Sequence, residues 1–147
     1  WSTYKWCKGS YNTMAKYCTS SSHGTVDNKI VLDSEDDAAH ANWGDSWRMP
    51  TEAEQTELRK CKWEWKELNG KKGYIVTGPN GNFIFLPAAG YRYEGSLNYA
   101  GSYGFYWSSS LCTSDSYDDA CSLYFYSDYV DWSGTRYSGK SVRAVCP

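Results

Sequence analysis

Two groups of side chains in this sequence have the type and spacing to do chemistry. The first is Asp33, Glu35, Asp36 and Asp37, four carboxylates in one short run, the hard oxygen set that calcium takes. The run lacks the alternation and the glycine of an EF-hand loop. Carboxylates stacked in a first helical turn are also explained by capping and by the positive end of the helix dipole. Capping is the stronger account, and no metal ligand set is assigned. The second group is proton-transfer side chains. His23 lies in a Ser/Gly loop and His40 beside Ala38 and Ala39, and neither has a recognisable nucleophile or partner nearby in the sequence. Glu52, Glu54 and Glu57 share one short segment, where a solvated helix face accounts for them. No catalytic residue and no cofactor is assigned.

The six cysteines favour an oxidising compartment. None has the C-x-x-C spacing of a zinc or thioredoxin-like site, so disulfides stand ahead of metal. Cys7 and Cys18 flank a short polar loop and are the bridge candidates.

A third chemistry is that of contact. In ACSLYFYSDYVDWSGTRYSG, Leu123, Phe125, Val130 and Trp132 recur as large apolar residues among Tyr, Ser and Asp. With a period of two, Leu123 and Phe125 face the core while Ser122, Tyr124, Tyr126 and Asp128 face the other way. After a turn at Asp128-Tyr129, Val130 and Trp132 point inward, and Tyr129, Asp131 and Ser133 outward. Trp107 and Leu111 supply further anchors. The outer mixture of Tyr, Ser and Asp resembles an antibody paratope, in which Tyr gives contact area at small entropic cost and Ser adapts its hydrogen bonds. Between Gly95 and Gly139 there is no Lys, Glu, Gln or Met, although all four precede that segment. That is unusual for an exposed surface.

The elements that must hold this face follow from local pattern. The first 26 residues read as loop. KIVLD is a short strand candidate, and SEDDAAHAN a helix start with Ser34 as N-cap. WRMPTEAEQTELRKC is a second helix, opened by the capping box Thr51-x-x-Glu54, with Ala53, Leu58 and Cys61 along one side. GYIVTGPNGNFIFLP is a hairpin around Pro79-Asn80-Gly81. GFYWSSSL, CSLYFYS, VDWSG and SVRAVC are later strands. The 147 residues predict one α+β domain, with two helices, antiparallel sheets and a long loop-rich region.

A net charge of -2 with no basic run excludes a nucleic-acid surface. No apolar run is long enough to span a bilayer, so any membrane attachment is expected through a region outside this chain. The chain opens at Trp1 without a leader and reads as a processed or excised domain.

NWGDSWRMPTEAEQTELR, GYIVTGPNGNFIFLPAAGYR, YWSSSL and SVRAVCP, in that order, resemble the Fibrobacter succinogenes major paralogous domain. The resemblance implies a C-type lectin-like fold on a Bacteroidetes surface lipoprotein. The last third also resembles the variable region of a diversity-generating retroelement target, of bacterial or phage origin. Mutagenesis there acts at template adenines, so Asn codons become residues whose codons end in C or T. This excludes Lys, Glu, Gln, Met and Trp.

The resemblance marks residues 95–139 as the candidate variable region. Its substitutable positions are Tyr99, Tyr103, Phe105, Cys112, Asp115, Tyr117, Asp118, Cys121, Ser122, Tyr124, Tyr126, Asp128, Tyr129, Asp131, Ser133, Gly134, Thr135, Tyr137 and Ser138. On this reading Cys112 and Cys121 are products of diversification, free to pair where geometry allows. The sugar-binding motifs of calcium-dependent lectins are absent, the nearest match being Asp131-Trp132-Ser133. The implied partner is a protein or cell-surface receptor, with a glycan as the alternative, and the implied location is a cell surface, the extracellular space or a phage virion. A fixed glycan-binding or structural module of a larger surface protein is the competing reading. Formylglycine-generating oxidases share a related fold but need a paired reactive cysteine site not recognisable here, so an enzyme is not expected.

Overall fold

Asp37, not Ser34, caps the first helix. In the computed structural model, which describes residues 1–112 and 119–146, Ser34–Asp36 forms a single 3-10 turn and α1 spans Ala38–Trp43. The Asp37 carboxylate accepts from the backbone N–H groups of Ala39 (2.8 Å) and His40 (3.1 Å). It also accepts from Met49 N–H at 2.8 Å. One buried side chain therefore closes the helix and fixes the approach to the next one, a task Ser34 is one turn too early to perform. Helix α2 (Glu52–Arg59) carries the expected capping box, with Thr51 and Glu54 each serving the other's backbone. Arg48 grips Glu54 with two bonds of 2.7 and 2.6 Å. Of the side expected to be buried, Leu58 and Cys61 pack against the core, whereas Ala53 is exposed and Gln55 is buried in its stead.

Among the described residues, eight strands form three antiparallel sheets. β1 (Lys62–Leu68), β2 (Lys71–Thr77) and β3 (Phe83–Pro87) make the first, β4 (Tyr91–Tyr93) and β5 (Ser96–Asn98) a small ribbon, and β6 (Gly104–Leu111), β7 (Ala120–Tyr126) and β8 (Tyr129–Ser133) the third. Together with the helices this is an α+β chain. β1, an element beyond those read from the sequence, has the alternation Lys-Trp-Glu-Trp-Lys. It places Trp63 opposite Val76 and Trp65 opposite Tyr74 on one face. That face joins the inner row of the third sheet in the core of Tyr74, Val76, Leu86, Ala88, Tyr106, Leu123 and Phe125. Tyr74 donates its hydroxyl to Ser127 O at 2.8 Å, and Tyr106 donates to Pro87 O at 2.7 Å. Each core phenol thus ties one sheet to the other.

The β6–β7 ladder breaks register between Trp107 and Leu111. A break of this kind leaves carbonyls without ladder partners. Gln55 meets that need, donating from Nε2 to the carbonyls of Tyr106 and Trp107 at 3.0 and 3.2 Å. This explains a buried polar residue on α2 that periodicity alone assigns to solvent.

KIVLD and SVRAVC do not become ladder strands. They contribute single bridges, Val31 to Ser110 and Ser141 to Tyr106, and with Gly90 against Gly104 they cover the second edge of β6. Covering that edge removes a row of unpaired backbone groups. The N-terminal segment is held by Met14, Tyr17 and Cys18, all buried. Arg136 Nη1 donates to Tyr17 O at 2.8 Å and links this segment to the C-terminal part of the chain. No described helix is long and apolar enough to cross a membrane.

Candidate functional site

The third sheet separates two rows of side chains, as the alternation predicts. Pairing sets Phe105 against Tyr124 and Tyr124 against Asp131, and likewise Trp107 against Ser122 and Ser122 against Ser133. Tyr126 faces Tyr129 across a two-residue turn at Ser127 and Asp128, one residue earlier than expected, and the row assignment of β8 is unchanged. The opposite row holds Tyr106, Leu123 (1% exposed) and Phe125 (0%), with Val130 and Trp132 only half-buried. Trp107 departs from its expected place among the core anchors and lies in the outer row.

The outer rings form one connected surface. Phe105 stacks on Tyr124 at 5.4 Å, Tyr124 lies 5.9 Å from Tyr129, and Tyr126 stacks on Tyr129 at 5.3 Å. Tyr103 reaches across to Tyr126 at 5.2 Å and to Tyr99 at 4.9 Å. Tyr91, from the β4 ribbon, contacts Phe105 at 5.0 Å. Tyr99 is 58% exposed and Tyr129 43%. Next to this surface a cleft of about 390 Å³ opens between Tyr91, Tyr93 and the Thr135–Ser138 turn, with Lys140 among its lining. Tyr137 stands at its rim, 5.8 Å from Tyr93 and 5.2 Å from Trp1.

Two charged groups set the electrostatics. Asp131 accepts from the Tyr129 hydroxyl at 2.6 Å, which holds its carboxyl below the usual range and raises the Tyr129 phenol. Tyr124 is raised as well, chiefly by burial and then by its neighbours Tyr126, Tyr103 and Asp131. Lys140 aims its ammonium at Gly134 O (2.5 Å), Ser122 Oγ (2.8 Å) and Ser133 Oγ (3.5 Å), and lies 4.0 Å from the centre of the Trp107 ring. Burial pushes its pKa down to about 7, with Asp119 pulling the other way.

Several members of the substitutable set are buried. Ser122 is 0% exposed, enclosed by Lys140 and by the carbonyl of Ser133, to which it donates at 2.5 Å. Alternation puts Ser122 in the outer row, and Lys140 then covers it. Cys121 and Ser138 are buried too. Gly134 approaches the Asp119 carboxylate so closely that a Cβ would collide with it. Asp119 in turn accepts from Thr135 N–H at 2.6 Å. Asp128 is exposed, and Tyr126, Ser133, Thr135 and Tyr137 are half-buried. Asp115, Tyr117 and Asp118 lie outside the described residues.

The cysteines do not pair as expected. Cys112 and Cys121 form a disulfide, while Cys7 and Cys18 are free thiols. Cys7 sits in a bridge with Met14 and donates to Trp1 O, whereas Cys18 donates to Ser20 O, so the two sulfurs are drawn to different carbonyls.

Among the described residues, Asp33, Glu35 and Asp36 are close enough to share a cation. Lys16 fills that place, with its ammonium 2.6 Å from Asp33, 2.6 Å from Asp36 and 3.3 Å from Glu35. Asp36 is held well below the ordinary carboxylate range: burial opposes its charge, but Lys16, Lys5 and Tyr17 outweigh burial. His40 lies on α1 with its Nε2 3.6 Å from Asp45, and His23 stands beside Ser22 and Tyr11. A second cavity of about 360 Å³ lies between the N-terminal segment and β6, lined among others by Trp6, Leu32, Met49 and Val142. None of its lining residues belongs to the substitutable set.

Tyr91, Tyr93 and Lys140 complete the site without having been singled out by sequence. Tyr-Arg-Tyr was legible as a two-residue period. The role of Lys140 follows only from the chain returning under the sheet.

A protein family described as "Domain of unknown function (DUF8237)" matches residues 50–145. No curated protein and no solved structure matches the chain. The family match spans more than half of the sequence, and the chain belongs to this family.

Proposed function

We propose that this member of the DUF8237 family adopts a C-type lectin-like fold and acts as a ligand-binding domain, not an enzyme. On this reading it is displayed at a cell surface or on a virion, and its face within residues 95–139 is diversified by a retroelement and binds a protein or cell-surface receptor. The observation that carries the reading is the connected ring surface of Tyr99, Tyr103, Phe105, Tyr124, Tyr126 and Tyr129. It lies on the far side of the sheet from Leu123 and Phe125, which belong to the core. Side chains on such a face can change without emptying the core, and clustered tyrosines supply rigid contact area. The experiment is to read the encoding locus. A reverse transcriptase gene beside a near-duplicate template, with Asn codons at these positions, supports diversification. A locus without them refutes it.

One observation favours the fixed-module alternative. Ser122, Cys121 and Ser138 are buried and a Cβ at Gly134 would have to displace the Asp119 carboxylate, so those positions resist free substitution. The diversified set then contracts to the remaining residues, and a template without Asn codons at Cys121, Ser122, Gly134 and Ser138 is expected.

A further inference from the structure

The segment from Gly95 to Gly139 contains five aspartates and one basic residue, Arg136, a formal charge of -4 in a chain whose total is -2. Of the five, Asp115 and Asp118 lie outside the described residues and Asp119 accepts from Thr135 N–H, which leaves Asp128 and Asp131 as the aspartates described beside the rings. Arg136 does not offset this at the face, because it is buried and directed at Tyr17 O. The exposed Asp128 marks the tip of the β7–β8 hairpin, and Asp131 lies beside Tyr124 and Tyr129.

Two other described cations border the face. The donors of Lys140 are directed at Ser122, Ser133 and Gly134. Arg59 stands 3.4 Å from Asp131 Oδ1 and also donates to Val130 O at 3.2 Å. It engages Asp131 Oδ1 while the Tyr129 hydroxyl engages Oδ2, and it makes no bond to Asp128, which accepts from Ser127 Oγ at 3.1 Å.

Resting on the ligand-binding reading, we infer that the partner is a protein surface presenting arginine, bound by the Tyr124–Tyr126–Tyr129 rings together with Asp128 and Asp131. The negative ring faces attract a cation. A planar guanidinium can stack on a phenol while its N–H fork meets a carboxylate, which an ammonium does less well. Complementary charge also sets the approach and rejects acidic competitors. A neutral glycan would use the rings and add no cation to the exposed Asp128, whose carboxylate meets only the Ser127 hydroxyl among the bonds of this face.

The test is selection of a phage-displayed random peptide library on the whole domain, beside a glycan array. Parallel selections use Tyr124→Ala/Tyr126→Ala and Asp128→Asn/Asp131→Asn. Peptides enriched in arginine, released as salt rises towards about 0.5 M, are expected. The Asn variant should weaken them roughly tenfold, beyond any loss explained by a lower melting temperature. Asp128→Asn alone, at the exposed hairpin tip, provides the same comparison where the double variant is destabilised. Acidic or uncharged peptides, or a neutral glycan, held by the same tyrosines overturn the cationic partner and leave the binding face standing. A selection whose outcome ignores the tyrosines overturns both.

Discussion

Tyr124 and Phe125 are adjacent in the chain and lie on opposite sides of one strand, so truncating each measures the division on which the site depends. Phe125 is 0% exposed, and its ring lies 5.3 Å from Tyr74, 5.9 Å from Trp63, 5.9 Å from Tyr106 and 6.4 Å from Trp65. Gly104 packs against the same ring, with no room for a Cβ. Phe125→Ala removes the centre of this aromatic group and should cost about 3–5 kcal/mol. For a domain of this size each kcal/mol is worth about 2–4 °C, so the melting temperature should fall by roughly 6–20 °C. Tyr124 is half-buried among surface rings. Its truncation forfeits mainly ring contacts worth about 0.5–1.5 kcal/mol, a shift of a few degrees. Thermal melting followed by near-ultraviolet circular dichroism, with urea titration as a check, measures both. Phe125→Leu, expected to cost less than about 1.5 kcal/mol, keeps the comparison open if the alanine variant does not fold. Equal losses at Tyr124 and Phe125 would refute the two-row assignment.

Other outcomes follow from single groups. Asp37→Ala strands the N–H groups of Ala39, His40 and Met49, and should cost at least about 3 kcal/mol in urea unfolding, at roughly 1–3 kcal/mol per buried donor. Reducing Cys112–Cys121, which are nine positions apart, should lower stability by about 2–3 kcal/mol on the loop-entropy relation, read as a shift of the melt in dithiothreitol. Lys140 has a folded pKa of about 7, below its ordinary 10.5. The unfolded chain therefore binds more protons between these values, and stability should rise as pH climbs from about 7 to about 9. Below pH 7 the full cost of burying the ammonium is present. Lys140→Met should flatten that slope, and an unchanged slope would assign it to another group. Glu54, lowered to about 2 by Arg48, has the opposite sign: its contribution is present above its ordinary value of 4.5 and is lost as pH falls towards 2.

What the sequence made legible depended on how locally each feature is encoded. The Thr51–Glu54 capping box and the Pro79-Asn80-Gly81 hairpin are contained in a few residues, and both stand where they were read. The two rows of β7 and β8 were legible because alternation survives a turn displaced by one residue, so long as the pairing of Tyr126 with Tyr129 keeps each row in phase. Trp107 and Ser122 were read less well, for a common reason. They pair across the outer row, and Lys140, arriving from beyond Gly139, lies over the Trp107 ring and bonds the Ser122 hydroxyl. A long-range visitor therefore decides whether a position in an outward row meets water. The same holds at Gln55, which is polar by pattern and buried because a register break in β6 needs its amide. It holds again at Cys7 and Cys18, whose closeness in sequence says nothing of where their sulfurs point. Periodicity assigns a side chain to a face of its own element, and only the chain's return across that face decides what covers it. At this site the return is made by Lys140 and Gly134. The outer row is therefore covered where Ser122 and Ser133 meet that ammonium, and the rings from Tyr103 to Tyr129 continue beyond it.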